Sequence, residues 1–360
     1  MTEPTGKRRR ILIIGGGVAG GAAAIGLARG GESVTLVERR RFPRTKVCGG
    51  CIGPPGLAEL ERLGVGEAVR DVAARVDRWR GYAGGRVAEL PLPPGVAVCR
   101  SRLDPILVDR ARHLGCNVRL PATAKLVDPG GDTRPAAVAI DGSVERFDLV
   151  LAASGLAGLN LESFAPVTQS PGPIGVAAMV ASPTEPGIIH MVMHRDGYVG
   201  AVELSPGRVD VAAAVMPRPG VTPWQTVQTI LRGEGLECLA DAPADGVATT
   251  PRLRRRRDSV VGRVWMVGDA HRYVEPMTGQ GMTWALISAR SACESLIGRD
   301  LDDATAIYRH ASGRQNDRGQ RRCGWITRAV RHPAVHRPAI AMLQHAPWLA
   351  SPLIRSVNAR

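Results

Sequence analysis

A glycine-rich turn near the start of the chain has the residue types and spacing to bind a phosphate group. Gly15, Gly17 and Gly20 form the pattern G-x-G-x-x-G directly after the apolar run at residues 11–14. Where side chains are absent, backbone N–H groups and the positive end of the following helix can approach a pyrophosphate. Glycine is common in this chain, so the pattern gains its weight from the predicted strand and helix on either side of it.

A carboxylate at the end of the next predicted strand narrows the choice of cofactor. Glu38 lies close to the offset of about 20 residues at which an acid accepts hydrogen bonds from both ribose hydroxyls. The same acid would repel a ribose 2′-phosphate. The adenosine half bound here is therefore expected to be unphosphorylated, which leaves NAD or FAD.

Residues far along the chain distinguish these two cofactors. Asp269 follows a predicted buried strand at residues 264–267, and Gly279-Gln280-Gly281 precedes a predicted helix. A carboxylate at a strand end can hold ribityl hydroxyls, and a glycine-rich helix start directs N–H groups toward the electron-rich edge of a flavin. The arrangement favours FAD.

The same motifs resemble those of the para-hydroxybenzoate hydroxylase and geranylgeranyl reductase superfamily. Residues 268–285, GDAHRYVEPMTGQGMTWA, are similar to its second FAD motif. Residues 46–50, KVCGG, resemble the K-x-C-G-G element of the geranylgeranyl reductase branch, and residues 100–104, RSRLD, resemble the R-x-x-L-D stretch. The resemblance implies an FAD-dependent oxidoreductase that takes hydride from transiently bound NAD(P)H, and no second G-x-G-x-x-G occurs in the sequence.

The resemblance and the glycine turn together assign residues to a site. Cofactor-binding residues are expected to be Gly15, Gly17, Gly20, Glu38, Arg39, Cys48, Gly49, Arg100, Asp269, Pro276, Gly279, Gln280, Gly281 and Met282. Catalytic candidates are Cys48, on the substrate side of the flavin, and His271, for which the competing interpretation is that it orders the loop beside Asp269. Substrate contacts are expected at Tyr198 and Gly200.

Two segments depart from the family pattern. Ser154 stands where the family's middle motif usually carries an aspartate, so the docking of a nicotinamide donor is an open question. Residues 198–203, YVGAVE, resemble the Y-x-W-x-F-P strand but lack its later aromatics and proline. Whether this strand forms a surface that binds a prenyl chain is therefore also an open question.

The pair Cys48-x-x-Cys51 admits several interpretations. A zinc site needs two further ligands and no second C-x-x-C exists, so we expect no metal. A dithiol that exchanges electrons with a flavin is an alternative to a packed or substrate-lining cysteine.

Regular elements must position these residues, and their order predicts an α/β fold. Residues 11–14, 18–29 and 33–37 read as a βαβ unit, and residues 103–114, 281–297 and 302–330 read as helices. Strand-like runs at residues 188–193, 198–204 and 209–215, joined by the turns at residues 195–197 and 205–207, predict an antiparallel meander. We expect a Rossmann-like FAD-binding domain of the glutathione reductase and para-hydroxybenzoate hydroxylase type, interleaved with an antiparallel β-sheet substrate domain and followed by a helical C-terminal region.

The predicted domains are discontinuous. The FAD-binding domain takes residues 8–75, 98–160 and 255–300, the substrate domain takes 76–97 and 161–254, and the basic helical region takes 301–360.

Charge and composition bear on partners and location. The chain carries a formal charge of +14, and residues 309–360 hold ten arginines, no lysine and one acid. That tail predicts either a solvated basic surface or peripheral contact with an anionic membrane. No nucleic-acid-binding motif is present, and aromatic residues make up only 4% of the chain, so we expect no nucleic-acid partner. Seven cysteines, odd in number and mostly isolated, and a polar, basic start predict a cytoplasmic or membrane-surface location.

Three functions are compatible with these motifs. The leading one is a geranylgeranyl-reductase-like reductase or dehydrogenase that acts on a hydrophobic small molecule of isoprenoid, lipid or polyketide type. The second is a flavin-dependent monooxygenase that uses NAD(P)H and O₂. The third is a flavin carrier or redox sensor without turnover.

Overall fold

The computed structural model describes residues 8–157, 161–275, 277, 279–314 and 317–358. Within them the strands are β1 (Arg10–Ile14), β2 (Ser33–Val37), β3 (Cys51–Ile52), β4 (Ala74–Ala83), β5 (Arg86–Ala97), β6 (Asn117–Arg119), β7 (Ala124–Asp128), β8 (Ala136–Ile140), β9 (Ser143–Phe147), β10 (Leu149–Ala152), β11 (Thr168–Gln169), β12 (Ile174–Ala181), β13 (Ile188–His194), β14 (Gly197–Ser205), β15 (Arg208–Val215), β16 (Ala244–Arg252), β17 (Arg255–Arg256), β18 (Val260–Val261), β19 (Val264–Met266) and β20 (Arg272–Tyr273). The α-helices are α1 (Val18–Arg29), α2 (Pro54–Arg62), α3 (Gly66–Arg70), α4 (Arg100–His113), α5 (Pro223–Arg232), α6 (Glu237–Ala240), α7 (Gly281–Leu296), α8 (Leu301–Arg314), α9 (Asp317–Val330), α10 (Pro333–His345) and α11 (Ser351–Asn358).

A six-stranded sheet forms the centre of the first domain. Its order is β18-β19-β10-β1-β2-β6, and its pairs are parallel except β18 with β19. Helices α1, α4 and α7 cover one face, where Ile11 and Ile13 are fully buried. Small residues let the helices approach closely, since a Cβ atom at Gly26 would lie 2.6 Å from Cys293 Sγ. The predicted βαβ unit and the Rossmann-like fold class are confirmed.

The other face of this sheet carries a small antiparallel sheet. Strands β7, β8 and β9 form it, and their apolar residues pack with Leu12 and Ile14 of β1. Both faces of β1 are therefore buried, which explains why residues 11–14 are continuously apolar rather than alternating.

The second large sheet has eight strands in the order β16-β12-β15-β14-β13-β4-β5-β3. The predicted meander holds for β13, β14 and β15, but β12 pairs with β15 rather than with β13, so the chain crosses the sheet between β12 and β13. Strand β13 instead runs parallel to β4. Strand β3, from the range assigned by sequence to the first domain, pairs with β5 and ties the two domains together.

The C-terminal helices contact both domains. On α8, Tyr308 stacks against Trp265 with ring centroids 4.5 Å apart, and its hydroxyl donates to the Met266 carbonyl at 2.7 Å. Helix α10 packs on β4 and β5, where Ile340 is buried with Ala83 and Ala88. In the described part of the chain, no helix is both long enough and apolar enough to cross a membrane.

Candidate cofactor and substrate site

The turn between β1 and α1 is shaped by its glycines. Gly15 has φ +110°, and a Cβ atom there would lie 2.6 Å from the Ala153 carbonyl oxygen. A Cβ at Gly20 would lie 1.8 Å from the Gly15 oxygen, so both positions require glycine. Helix α1 begins after Gly17 without a side-chain cap, which leaves its first N–H groups available to an anion.

Glu38 follows β2 and lies against this turn. Its Oε2 atom accepts from the Gly16 N–H at 2.9 Å, and its Oε1 atom accepts from the Arg40 N–H at 2.9 Å. A carboxylate has about four lone-pair sites, so these bonds orient Glu38 and still leave capacity for ribose hydroxyls. Arg39, the neighbouring predicted residue, is exposed and lines the same cavity.

Two arginines share an acid beside the glycine turn. Arg100, the first residue of α4, makes a bidentate contact with Asp104 at 2.7 and 2.9 Å. Arg44 contacts Asp104 at 3.2 Å and Glu38 at 3.4 Å. The Arg44 Nε atom is buried without a hydrogen-bond partner. A Cβ at Gly17 would lie 3.0 Å from Arg100 Nη2, so the missing side chain leaves space in front of the guanidinium.

A third cation, Lys46, lies at the end of β10. A Cβ at Gly155 would lie 2.9 Å from Lys46 Nζ, and the neighbouring Ser154 hydroxyl is buried without a partner. Burial lowers the pKa of Lys46, and the nearby Arg100 lowers it further. Burial raises the pKa of Asp269, an effect that Lys46 and Arg100 oppose.

The segment from Cys48 to Cys51 bridges the two domains. A Cβ at Gly279 would lie 3.3 Å from Cys51 Cβ, and a Cβ at Gly50 would lie 3.2 Å from Asp210 Oδ2. The cysteines of this segment are free. Burial raises the pKa of both thiols, so both are protonated at neutral pH.

The predicted flavin-edge residues lie at the start of α7. Gln280 precedes the helix, and no side-chain cap covers its N-terminus. Gly279, Gln280, Gly281 and Met282 all line the cavity. Pro276, which was assigned to the same group, lies outside the described residues.

His271 is placed differently from the other predicted residues. The cavity lining includes Asp269 and Tyr273 but not His271. Its Nδ1 atom lies 2.9 Å from the Arg257 carbonyl oxygen, and burial lowers the pKa of its ring. This contact is consistent with His271 ordering the loop beside Asp269. A catalytic role for His271 in proton transfer stays a prediction.

The eight-stranded sheet forms the far wall of the cavity. Tyr198 and Gly200 line it from β14, and at Gly200 the missing side chain leaves room beside Met191. Burial raises the pKa of Tyr198 well above its ordinary value, and the nearby carboxylate of Glu275 raises it further. Glu275 contacts Arg331, the residue that follows α9.

Asp210 on β15 is the residue of this wall that the sequence analysis missed. Its side chain is buried, and burial raises its pKa to about 7. The local sequence Val209-Asp210-Val211 carried the only signal, a carboxylate inside an apolar strand. Arg44 and Lys46 were also not assigned to the site by sequence.

Most of these groups, but not His271, line one cavity of about 1060 Å³. Its first end holds the glycine turn, Glu38, Arg44 and Arg100. Its other end reaches the C-terminal helices and is apolar, with a lining that includes Ile326, Ile340, Leu343, Leu353 and Ile354. No cluster of His, Cys, Asp or Glu that could hold a metal ion occurs among the described residues.

Comparison with known proteins relates this arrangement to a family. A family model described as "FAD binding domain" matches residues 8–299. Menaquinone reductase of Mycolicibacterium smegmatis is 28% identical over 84% of this chain and 79% of that protein. Digeranylgeranylglycerophospholipid reductase 2 of Methanopyrus kandleri is 27% identical over 83% of this chain and 79% of that protein.

A solved structure agrees at the level of the fold. The structure of p-nitrophenol 4-monooxygenase PnpA from Pseudomonas putida has a TM-score of 0.81 at 17% identity, covering 98% of this chain and 99% of that one. At this identity the likeness shows a shared fold.

Proposed function

The chain belongs to the FAD-binding domain family, and from this premise we propose that it reduces a carbon–carbon double bond of an isoprenoid or similar hydrophobic molecule, with NAD(P)H as reductant. The family and the relatives establish that the chain is an FAD-dependent oxidoreductase. The proposal concerns the substrate class, the direction of the reaction and the source of electrons.

The residues at the first end of the cavity fit FAD. The glycine turn and the open start of α1 suit a pyrophosphate, and the unpartnered Nε of Arg44 supplies a buried donor for it. Glu38 suits the adenosine ribose, and Asp269 suits the ribityl chain. FAD supplies the two-electron chemistry, while the protein orients it and excludes water.

The observation that carries the proposal is the continuity of the cavity. Its charged cofactor end and its apolar end form one space, and the segment from Cys48 to Gly50 is part of its lining. An apolar extension of this kind suits a long hydrocarbon substrate better than a small polar one. The K-x-C-G-G resemblance of this segment supports reduction.

The two reductases among the relatives support the same substrate class. One is named for menaquinone and the other for a digeranylgeranyl lipid. At 27–28% identity we extend only the class, a hydrophobic molecule, to this chain.

A second candidate function is hydroxylation with O₂. The observation that favours it is the segment from Gly268 to His271, which resembles the hydroxylase motif and places Asp269 in the cavity. The fold shared with a monooxygenase is compatible with it.

We also propose that the C-terminal region contacts an anionic membrane. Trp325 and Trp348 are 70% and 69% exposed, and Leu353 is both exposed and part of the cavity lining. Arginines accompany them, with Arg328 over the Trp325 ring at 5.7 Å. Tryptophan and arginine beside apolar residues suit the boundary of an anionic bilayer, from which a lipid could enter the cavity.

The decisive experiment separates reduction from hydroxylation. Purified protein with bound FAD is reduced anaerobically with NADPH or NADH and mixed with a quinone that carries a polyprenyl side chain. A product formed without oxygen that is still two hydrogens heavier after its ring has been reoxidised to the quinone, and so has lost a prenyl double bond, would support the proposal. Oxygen consumption with a product one oxygen heavier would support hydroxylation, and no product under either condition would contradict both.

A further inference from the structure

We propose that Asp210 is the general acid of this site, which delivers the proton that accompanies hydride transfer to a substrate double bond. The inference rests on the proposed reductase function. It adds a residue that lies outside all the motifs identified in the sequence.

The strand places this carboxyl group toward the cavity. Val209 and Val211 pack on the opposite face of the sheet with the core beneath α5. Asp210 therefore faces the other side, together with Ala212, which also lines the cavity. Its pairing partners are Val202 on β14 and Met179 on β12, so its immediate sheet neighbours are apolar.

The carboxyl group of Asp210 is unpaired within the described part of the structure. No hydrogen bond or ion pair from another described residue reaches it, and burial alone raises its pKa. The other two acids of the cavity lining differ, since Glu38 is held by Arg44 and Asp269 is influenced by Lys46 and Arg100. A buried acid without a cation keeps its proton more readily than a paired one.

The groups that face Asp210 are the thiols of the bridging segment. Gly50 brings this segment to Asp210 Oδ2, and the charge of Asp210 contributes to raising the pKa of Cys48 and of Cys51. Their thiols are thus weaker acids than Asp210, whose pKa lies near 7. A general acid works best when its pKa is close to the working pH, which Asp210 satisfies and Tyr198 does not.

The proposed step balances in atoms and electrons. The π bond of the substrate breaks as one carbon receives a hydride from reduced FAD and the other carbon receives the Asp210 proton. The substrate gains two electrons, FAD is oxidised, and the Asp210 carboxylate regains a proton from water.

The test uses the full chain with FAD bound, as wild type, Asp210→Asn, Asp210→Glu and the control Asp245→Asn. Asp245 lies on β16 of the same sheet, is exposed, and contacts Arg208 at the surface. The FAD is reduced photochemically under argon, a polyprenyl quinone is added, and the saturation of a prenyl double bond is followed by the mass of the product after its ring has been reoxidised to the quinone. We expect Asp210→Asn to slow this step by about 100-fold or more, Asp210→Glu to recover part of the rate, and Asp245→Asn to match wild type.

A second measurement does not depend on activity. Infrared spectra of wild type should contain the carbonyl band of a protonated carboxyl group that disappears with a midpoint near pH 7. The band should be missing from Asp210→Asn and present in Asp245→Asn. It should be measurable with and without FAD.

Each outcome decides one of the two ideas. If wild type saturates the double bond and Asp210→Asn does so at the same rate, the general acid is overturned and the reductase function stands. If wild type with fully reduced FAD saturates no double bond, the reductase function fails and the inference fails with it. If Asp210→Asn does not fold, the wild-type pH profile decides, because a rate that does not fall as pH rises through about 7 overturns the inference.

Discussion

Gly279 and Cys51 lie in contact across the domain boundary, since a Cβ atom at Gly279 would be only 3.3 Å from Cys51 Cβ. Gly279 precedes α7 of the first domain, and Cys51 begins β3 of the eight-stranded sheet. The start of α7 therefore packs against the segment from Cys48 to Cys51. This close packing depends on the absence of a side chain at Gly279.

Replacement of Gly279 by alanine should weaken FAD binding. Gly279 has φ +71°, so a side chain costs roughly 1 kcal/mol in backbone strain and also meets Cys51. Gly298→Ala is the matched control, because Gly298 has φ +74° and no atom lies within 4 Å of its Cβ position. Both variants should lose stability through backbone strain, Gly279→Ala somewhat more because of Cys51, and only Gly279→Ala should raise the Kd for FAD. Equal FAD affinities in the two variants would contradict the contact's importance.

Replacement of Arg44 by methionine should lower FAD affinity by about 10- to 100-fold, the effect of losing one or two charge-assisted hydrogen bonds. Arg44 lies between two buried acids and carries an unpartnered Nε. Arg41→Met is the control, because Arg41 is exposed and does not line the cavity. Fluorescence titration of apoprotein with FAD measures both, and a normal Kd in Arg44→Met would remove Arg44 from the cofactor site.

The parts of this site that the sequence predicted are those with local signals. Helix α1 begins at Val18 and ends at Arg29 as predicted, because a glycine turn fixes its start and an apolar strand precedes it. The glycines and Glu38 meet in one turn for the same reason. The second FAD motif, at residues 268–285, was identifiable only through its resemblance to a family.

Other features depend on contacts between distant residues. The pairing of β12 with β15 is not determined by the alternation within either strand, so the sequence suggested a simpler meander. Asp210 is a site residue only because Gly50, 160 positions earlier, lies against it. The contact of the His271 ring with the Arg257 carbonyl likewise cannot be predicted from the motif at residues 268–285.

Replacement of Cys48 by serine should change turnover more than FAD content. Burial keeps the thiol protonated and it lines the cavity, so we expect it to contact substrate rather than to hold the nucleotide. Cys238→Ser, at an exposed cysteine, is the control. Steady-state kinetics and the absorbance ratio of flavin to protein give the two readouts. Unchanged kinetics with intact flavin would exclude Cys48 from the reaction.

Asp210 should make the stability of the protein depend on pH. Its folded pKa of about 7 lies above its ordinary value of 3.8. Its contribution to folding is therefore complete below about pH 4 and is lost as pH rises through about 7. Asp210→Asn cannot ionise, so its Tm relative to wild type should increase between pH 5 and pH 8. Thermal unfolding at both pH values measures this, and a constant difference would show that the carboxyl group is not held neutral.

The basic C-terminal region should bind anionic vesicles more strongly than neutral ones. Trp348 is exposed beside α11, and Arg355 lies within that helix. Cosedimentation with phosphatidylglycerol vesicles should show weaker binding for Trp348→Ala and about fivefold weaker binding for Arg355→Gln, since one cation near an anionic surface is worth about 1 kcal/mol. Val144→Ala, an exposed apolar position on β9, should bind as wild type does.

Added salt should weaken the wild-type interaction with phosphatidylglycerol and leave binding to phosphatidylcholine unchanged. Equal binding of wild type to the two lipids would show that this region is a solvated surface, and a lipid substrate would then have to reach the cavity from solution.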